Sequence, residues 1–545
     1  MIKLYTDVLV VGGGAAGLKA ALTAADRGVQ VILAVDYPYS GSTFYANSPE
    51  WGLTCARDEA DVEALYQDII HASHGCLNPV LARRMAEESR QGFEELKGYG
   101  LEFTNSKDIG MVSCFGKTAR GGVLNDLNQA VDAYQEQIEA RPKLKVVSGI
   151  TAFTLVMKEG ACRGVIGFQK DGEITVLLAS ATVLACGGGE NLYQYSYAVG
   201  PLNGSAYAMA ARHGARIVNL EFVQFINATL EPAGGLNYFQ GAFAAAKSFT
   251  NRSGERFLEK YLPRGCTAEE CMKLRSSHGP FSSEDVSKYF DIAVAAEGGA
   301  VIVSDLKKLE APEFTSWKKF LTGSHYPFDT PMTIYPHAHA FNGGILAGND
   351  ITTDIPGLYA AGESMGGCHG ANRMGGNAIM AAQVFGKLSA NAAADYAKAR
   401  GNTDDVTSEE SLAMIEQACY SKERQGKMPP EKAMEAVQKI VQKAAFLERT
   451  EEKLNEGIRS LERLREAYAP MAFLDTPQAA SAFSTYNAVC SALLMLTAMR
   501  ERRETRGAHL RLDYPEKTDG NMRYVTFRPF GRGSLWPSKV KVNKG

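Results

Sequence analysis

The chain lacks paired cysteines. Its ten cysteines, Cys55, Cys76, Cys114, Cys162, Cys186, Cys266, Cys271, Cys368, Cys419 and Cys490, form no Cys-x-x-Cys pair, and nothing complements Cys266 and Cys271. That excludes a zinc knuckle and a cysteine-ligated cluster as readings of this chain, and leaves reduced thiols in a core. A basic surplus is also missing. Lys and Arg total 58 against 61 Asp and Glu, for a net charge of −3. Phosphate neutralisation needs a positive surplus, so nucleic acid is not an expected partner. No apolar run approaches the roughly 18 residues of a membrane span, and Met1–Asp7 has no signal-peptide pattern. These absences predict a cytoplasmic protein with no membrane span. Glycine, by contrast, is abundant at 54 of 545 residues. Such a surplus marks places where backbone approaches backbone or ligand closely. The length predicts about three domains.

Asp7–Val11 is continuously apolar, as a strand buried on both faces should be. Gly12-Gly-Gly14-Ala15-Ala16-Gly17 follows, then helical spacing from Leu18 to Arg27, a break at Gly28, and a second strand, Val29–Val35, ending at Asp36. A strand, glycine turn, helix and strand with a terminal acid is the dinucleotide-binding arrangement. Gly12 permits the tight turn, Gly14 lets backbone N–H groups reach a pyrophosphate, and Gly17 lets helix and strand pack closely. Asp36 reads equally as a ribose ligand and as a solvated strand-end carboxylate. Short strands are expected at Lys145–Val147, Gly164–Gln169 and Glu173–Leu178. Another apolar strand then runs into Gly187, Gly188 and Gly189, which would return backbone to the same cofactor.

Residues 231–335 lose the βα alternation and carry Pro263, Pro280, Pro312, Pro327 and Pro331, the style of an inserted α+β module. Glycine-rich chain resumes near 336. The expected architecture is α/β: a discontinuous Rossmann-like cofactor domain of 1–230 and 336–404, an inserted module of 231–335, a helical domain of 405–509 and an irregular arm of 510–545. In the helical part Ile440, Leu447, Leu454, Leu461 and Tyr468 recur at seven, the stripe of one packed helix in a bundle core, interrupted by Gly457. The charge run Glu448–Lys453 reads as a solvated helix face.

Ala360–Met380 is the densest stretch for chemistry: glycines and small residues alternate with Glu363, His369, Asn372 and Arg373, and an apolar helix begins at Ala378. A helix start preceded by Gly375, Gly376 and Asn377 suits an electron-rich ring edge such as a flavin C2 carbonyl. Arg373, buried among glycines, needs an anion or a backbone partner. A substrate carboxylate and a structural pair are both open. His337 and His339 could ligate a metal from one strand face, but no third ligand has suitable spacing, so no metal is expected. His369 and Asn372 read as residues that shape the loop.

The chain resembles the flavoprotein family of succinate dehydrogenase, fumarate reductase and L-aspartate oxidase. The likeness lies in Gly12–Gly17, Gly41-Ser-Thr-Phe-Tyr-Ala46, Gly254-Glu-Arg-Phe257, His339–Gly344, Gly357–Glu363, His369-Gly-Ala-Asn-Arg373, and Arg503–His509 with Asp513-Tyr-Pro515, nearly end to end. It implies FAD in a two-part domain, a capping domain above it and a C-terminal helical domain. The cofactor residues it implies begin with Gly12, Gly14, Ala15, Ala16, Gly17 and Asp36. Ser42, Thr43, Gly187, Gly188, Gly362 and Glu363 follow, with Asn377, Ala378 and Ile379 at the last helix start. Arg373 and His339 would bind an anionic substrate beside the flavin and act in catalysis.

Three departures qualify that picture. Ser42 stands where complex-II members attach FAD through a histidine, so FAD should be non-covalent. Gln224-Phe-Ile226-Asn227-Ala228 carries isoleucine where the family has a dicarboxylate-binding histidine. Glu284 aligns with the proton-delivering arginine, where it would repel an anion. The resulting expectation is an oxidoreductase moving a hydride between FAD and a small anionic substrate other than fumarate or succinate. An amine oxidase of the aspartate-oxidase type is one alternative. Another is a flavoprotein subunit working with a separate iron–sulfur or other redox partner protein.

Overall fold

The computed structural model describes residues 1–39, 41–45, 51–108, 112–198, 200–238, 241–304, 321–401, 405–419, 428–518, 523–530 and 534–541. Ala46 of the Gly41–Ala46 match, residues 305–320 of the expected module and parts of the terminal arm lie outside them.

β1 (Ile2–Val11), α1 (Ala15–Asp26) and β2 (Val31–Val35) form the expected first unit. β3 (Leu144–Ser148), β4 (Thr151–Lys158), β5 (Ala161–Phe168) and β6 (Ile174–Leu184) follow. They build a seven-stranded sheet in the order β3-β2-β1-β6-β5-β4. Its seventh strand, Leu358–Ala360, comes from far along the chain and pairs parallel to Thr182–Leu184 of β6. β1 is parallel to β2 and β6, while β4, β5 and the start of β6 run antiparallel. Every residue of β6 is buried, which is why its sequence is a nearly unbroken apolar run.

β7 (Val223–Glu231), β8 (Ala246–Thr250), β9 (Ala300–Ser304) and β10 (Met332–Phe341) form an antiparallel four-stranded sheet in the order β7-β10-β9-β8. α2 (Ala268–Arg275) and α3 (Lys288–Ala296) accompany it. A second core, with Phe243, Phe257, Phe290 and Ile302, sits inside this unit and apart from the main one. Both ends of the expected module, 231 and 335, fall inside paired strands. The module therefore hangs from the cofactor domain by a continuous two-stranded ribbon.

α4 (Asn377–Arg400) packs against both the large sheet and α1. α5 (Pro430–Ala445), α6 (Glu451–Ala467) and α7 (Ala479–Glu501) form the helical part. α7 is the one described helix long and apolar enough to cross a membrane, contrary to the expectation that no run comes close. Within it the most apolar stretch is 94% buried by the rest of the chain. The seven-residue stripe is not one helix either. Ile440 belongs to α5, Leu447 lies between helices, and Leu454 and Leu461 face inward from α6. Gly457 lets α6 lie close against α5 and α7: a Cβ there would lie 2.6 Å from both Ala444 and Leu496 side-chain carbons. The charge run is solvated at Glu452 and Lys453, but Arg449 within it is fully buried and donates to the Glu221 carbonyl and to His509 Nδ1. Nor is the terminal arm irregular throughout. β11 (Arg523–Phe530) and β12 (Ser534–Lys541) make a hairpin that joins Ile217–Val218 in another sheet.

Candidate functional site

A cavity of about 870 Å³ runs from the β1–α1 turn to β10. Gly12 sits at φ +118°, and a Cβ on it would lie 2.2 Å from the Ala185 carbonyl oxygen of the strand next door. No other residue fits there. Gly17 does not line the cavity. A Cβ on it would meet the Gly12 carbonyl at 1.9 Å, so it serves helix–turn contact, as its position in the motif requires. Gly14 begins α1 in an extended conformation, with no side-chain cap and no acid in the first turn. Gly12, Gly14, Ala15, Ala16, Asp36, Ser42 and Thr43 all face the cavity. A helix start left uncapped and opening into a cavity is suited to an anion such as a pyrophosphate. The Ala15 N–H reaches Thr43 Oγ1 at 3.3 Å, while Ser42 Oγ is buried without a partner. Burial raises the pKa of Asp36 and Lys170 partly offsets it.

Gly187 and Gly362 line the middle of the cavity. Gly188 does not. A Cβ there would lie 2.6 Å from Glu363 Cδ and 2.7 Å from Glu190 Oε1, so its lack of a side chain makes room for two carboxyl groups. Glu363 faces the cavity and accepts the Phe341 N–H at 2.6 Å. Glu190 is fully buried behind it. Burial first, and the Glu363 charge second, hold the Glu190 carboxyl well above the usual carboxylate range. Sequence reading missed Glu190, although its place directly after three glycines was a signal. α4 also begins uncapped, at Gly376, with no acid in its first turn. Ala378 and Ile379 line the cavity there, whereas Asn377 is buried behind it.

Arg373 and His339 meet at the far end. Arg373 Nη2 lies 3.2 Å from His339 Nε2, and Nη1 donates to the Met374 carbonyl at 3.2 Å. Guanidinium has only donors, so Nε2 accepts and the ring proton sits on Nδ1. Burial, then the Arg373 charge, push the His339 pKa down to about 3, so the ring is neutral. His339 Nδ1 and Arg373 Nε are both buried without partners. Among the described residues Arg373 makes no ion pair, and it is the one Lys or Arg lining the cavity. A buried, unpaired guanidinium beside an unpaired N–H donor has the chemistry of an anion site.

The loop that presents Arg373 is clamped from β7. Gln224 Nε2 donates to Asn372 Oδ1 and to the Arg373 carbonyl, and Asn372 Oδ1 also accepts the Arg373 N–H at 3.1 Å. Asn372 thus shapes the loop as expected. His369 instead faces the cavity, its pKa pushed to about 3 by burial and then Arg373. His337 lies off the cavity, its Nδ1 2.8 Å from the Tyr335 carbonyl. Tyr197 stands edge-on to the His339 ring at a centroid distance of 5.4 Å. Nothing in the sequence pointed to it.

Ile226 lines the cavity, as its alignment suggested, but Glu284 does not. Glu284 Oε1 accepts the Gly507 N–H at 2.7 Å, Oε2 pairs with Lys517, and His74 Nδ1 lies 3.7 Å away. The expectation that Glu284 would repel a substrate is therefore wrong. Its charge is spent joining the capping module to the C-terminal segment.

Comparison with known proteins matches the family described as FAD binding domain over residues 7–379 and that described as fumarate reductase flavoprotein C-term over 434–536. The chain is 27% identical to an uncharacterized FAD-dependent oxidoreductase of Methanocaldococcus jannaschii, over 94% of each chain. It is 25% identical to one subunit of the fumarate reductase (CoM/CoB) of Methanothermobacter marburgensis, over 94% of this chain and 95% of that one. Its fold is like that of Mycobacterium smegmatis Sdh1 in complex with UQ1, with a TM-score of 0.83, 21% identity and coverage of 100% and 95%.

Proposed function

We propose, from the premise that the chain belongs to the FAD binding domain family of oxidoreductases, within the flavoproteins of succinate dehydrogenase and fumarate reductase, that it moves a hydride between FAD and a small anionic substrate held by Arg373. When bound, FAD supplies the two-electron chemistry. The uncapped start of α1 would take its pyrophosphate, Ser42, Thr43 and Glu363 would offer polar contacts, and the uncapped start of α4 would favour negative charge on its ring. With serine at position 42, that binding is non-covalent.

The observation that carries the reading is the unpaired, buried guanidinium of Arg373. Arg373 binds the substrate anion through its free Nε edge, and His339 adds a donor from Nδ1. Gln224 and Asn372 hold the Arg373 backbone, and the Met374 carbonyl and His339 Nε2 hold its Nη atoms, so the fork is pre-organised before substrate arrives. His339 and His369 stay neutral beside Arg373 and leave it the one cationic group there.

Purified protein should be yellow and release its flavin into the supernatant on acid precipitation. Arg373→Lys should keep flavin and fold but lose a bidentate contact. A transition-state cost of about 2–5 kcal/mol in the reductive half-reaction is expected. A flavin-replete lysine variant with unchanged rate constants would remove Arg373 from the mechanism. The relative from Methanothermobacter marburgensis is named as one subunit of its enzyme, which supports a reading in which a separate redox partner carries the electrons. Slow reoxidation of reduced flavin by air would accord with that reading, whereas rapid peroxide formation would favour an oxidase.

A further inference from the structure

Beyond the anion at Arg373, the character of the remaining wall bears on what else the substrate can carry. Ile226 clusters with Tyr197 and Ala228, and the Tyr197 ring reaches His339. The wall is thus continuous from Ile226 to the anion site. Tyr238 and Pro280 face the same cavity. The Tyr238 hydroxyl is bonded to Ser304 Oγ at 2.8 Å, which itself donates to the Ala242 carbonyl, so its polar end is engaged within the capping module. Asn237 and Cys114, which also line the cavity, are neutral.

Two cations of the capping module, Arg275 and Lys288, are committed elsewhere. Arg275 is fully buried, forms an ion pair with Asp291 and donates to the His278 carbonyl at 2.6 Å. Asp291 in turn accepts from Asn227, the residue after Ile226. Lys288 donates to the Ser283 carbonyl. Neither cation lines the cavity. The other charged groups that do line it, Asp36 and Glu363, are acids.

We propose that this site selects a monocarboxylic acid with an apolar alkyl or aryl body, and that Ile226 is the residue that excludes a second carboxylate. The proposal rests on Arg373 as the anion site. One carboxylate meets the guanidinium and the His339 N–H. A second, at the other end of a short dicarboxylate, would leave water for a wall of isoleucine, proline and tyrosine rings with no second Lys or Arg among the described residues to receive it, which is strongly unfavourable. An alkyl or aryl group at that end gains by leaving water.

Flavin absorbance changes of the oxidised holoenzyme, titrated with trans-cinnamate, crotonate and fumarate, test this as equilibrium affinities. Cinnamate and crotonate should each bind about tenfold or more tighter than fumarate. Ile226→His should shift the ratio toward fumarate by about tenfold, and Ile226→Leu, which keeps the apolar wall, should not. Fumarate binding as tightly as the monoacids to the wild-type holoenzyme would overturn the proposal, as would a ratio unmoved in a flavin-replete Ile226→His variant. If Arg373→Lys weakens all three acids alike, the anion site stands whichever way the ratio falls. If none of the acids perturbs the flavin, or Arg373→Lys leaves their affinities unchanged, the reading of Arg373 fails and this proposal with it.

Discussion

At Glu190 a carboxyl group with no solvent exposure sits beside the carboxylate of Glu363. Two adjacent carboxyls do not both ionise in a buried place. Glu363 faces the cavity and takes a backbone N–H, while burial and then the Glu363 charge hold the Glu190 carboxyl well above the usual carboxylate range. In the unfolded chain Glu190 ionises near the ordinary value of about 4.3. Its contribution to stability is complete below that pH. It then declines by about 1.4 kcal/mol per pH unit as pH rises toward the folded-state value, because the unfolded chain has given up a proton that the folded chain retains. Glu190→Gln is neutral at every pH and nearly isosteric. The variant should lose this alkaline decline and melt higher than wild type at pH 8, with the difference shrinking toward pH 5. Thermal melts of the apoprotein across that range check it, and parallel curves would show that Glu190 ionises in the folded chain.

Among the elements, the β1–α1 turn is where conformation and ligand space separate. Gly12 is required by its positive φ, but Gly14 has φ −81° and ψ −179°, a region open to any residue. Gly14→Val should therefore fold, with a melting temperature close to wild type, yet purify without flavin, because a branched side chain fills the mouth of α1. Flavin content by absorbance and the melt on one preparation separate the two effects. This first unit was legible in the sequence because every signal is local: an apolar strand, three spaced glycines, a helix and a strand ending in Asp36. Arg373 and His339 were legible as candidates, but their mutual hydrogen bond joins a loop to β10. Other features depended on pairing that adjacent residues do not encode. Tyr197 reaches His339 only because its N–H bonds to the Ala338 carbonyl. Glu284 lies three residues from Phe281, whose N–H is held by the Phe225 carbonyl, yet its own carboxylate turns to Gly507. The stripe at 440–468 read as one helix because its spacing continues across the turn between α5 and α6. The hairpin of β11 and β12 was missed because Pro529 and Pro537 within its strands argue against strand structure on local grounds.

Across the whole molecule, residues 502–518 bind the parts together. Arg502, fully buried, pairs with Glu221 at the foot of β7 and with Glu504 at 2.6 Å. Glu504 also takes Arg506 and the Thr518 N–H and hydroxyl. The Gly507 carbonyl accepts the Ser283 N–H of the capping module, and the Ala508 N–H donates to the Ala371 carbonyl, two residues before Arg373. This segment thus joins the module, the cofactor loop and the helical part. Burial alone would raise the Glu504 pKa, but the Arg506 contact and the Arg502 charge bring it down to about 2. A carboxylate so depressed stabilises the fold fully above its unfolded value near 4.3, and the contribution is lost as pH falls toward 2. Glu504→Gln leaves two buried guanidinium groups short of a counter-charge, and a loss of about 3–5 kcal/mol is expected at pH 7. Urea unfolding should show that penalty at pH 7 and a smaller one at pH 3, where the wild-type advantage is already fading. The Ala508–Ala371 contact carries the same change to the substrate end. The variant should bind its acids more weakly while its flavin content holds, since the turn at Gly12–Gly17 has no contact with this network. Equal penalties at pH 7 and pH 3 would mean that Glu504 acts through packing rather than charge.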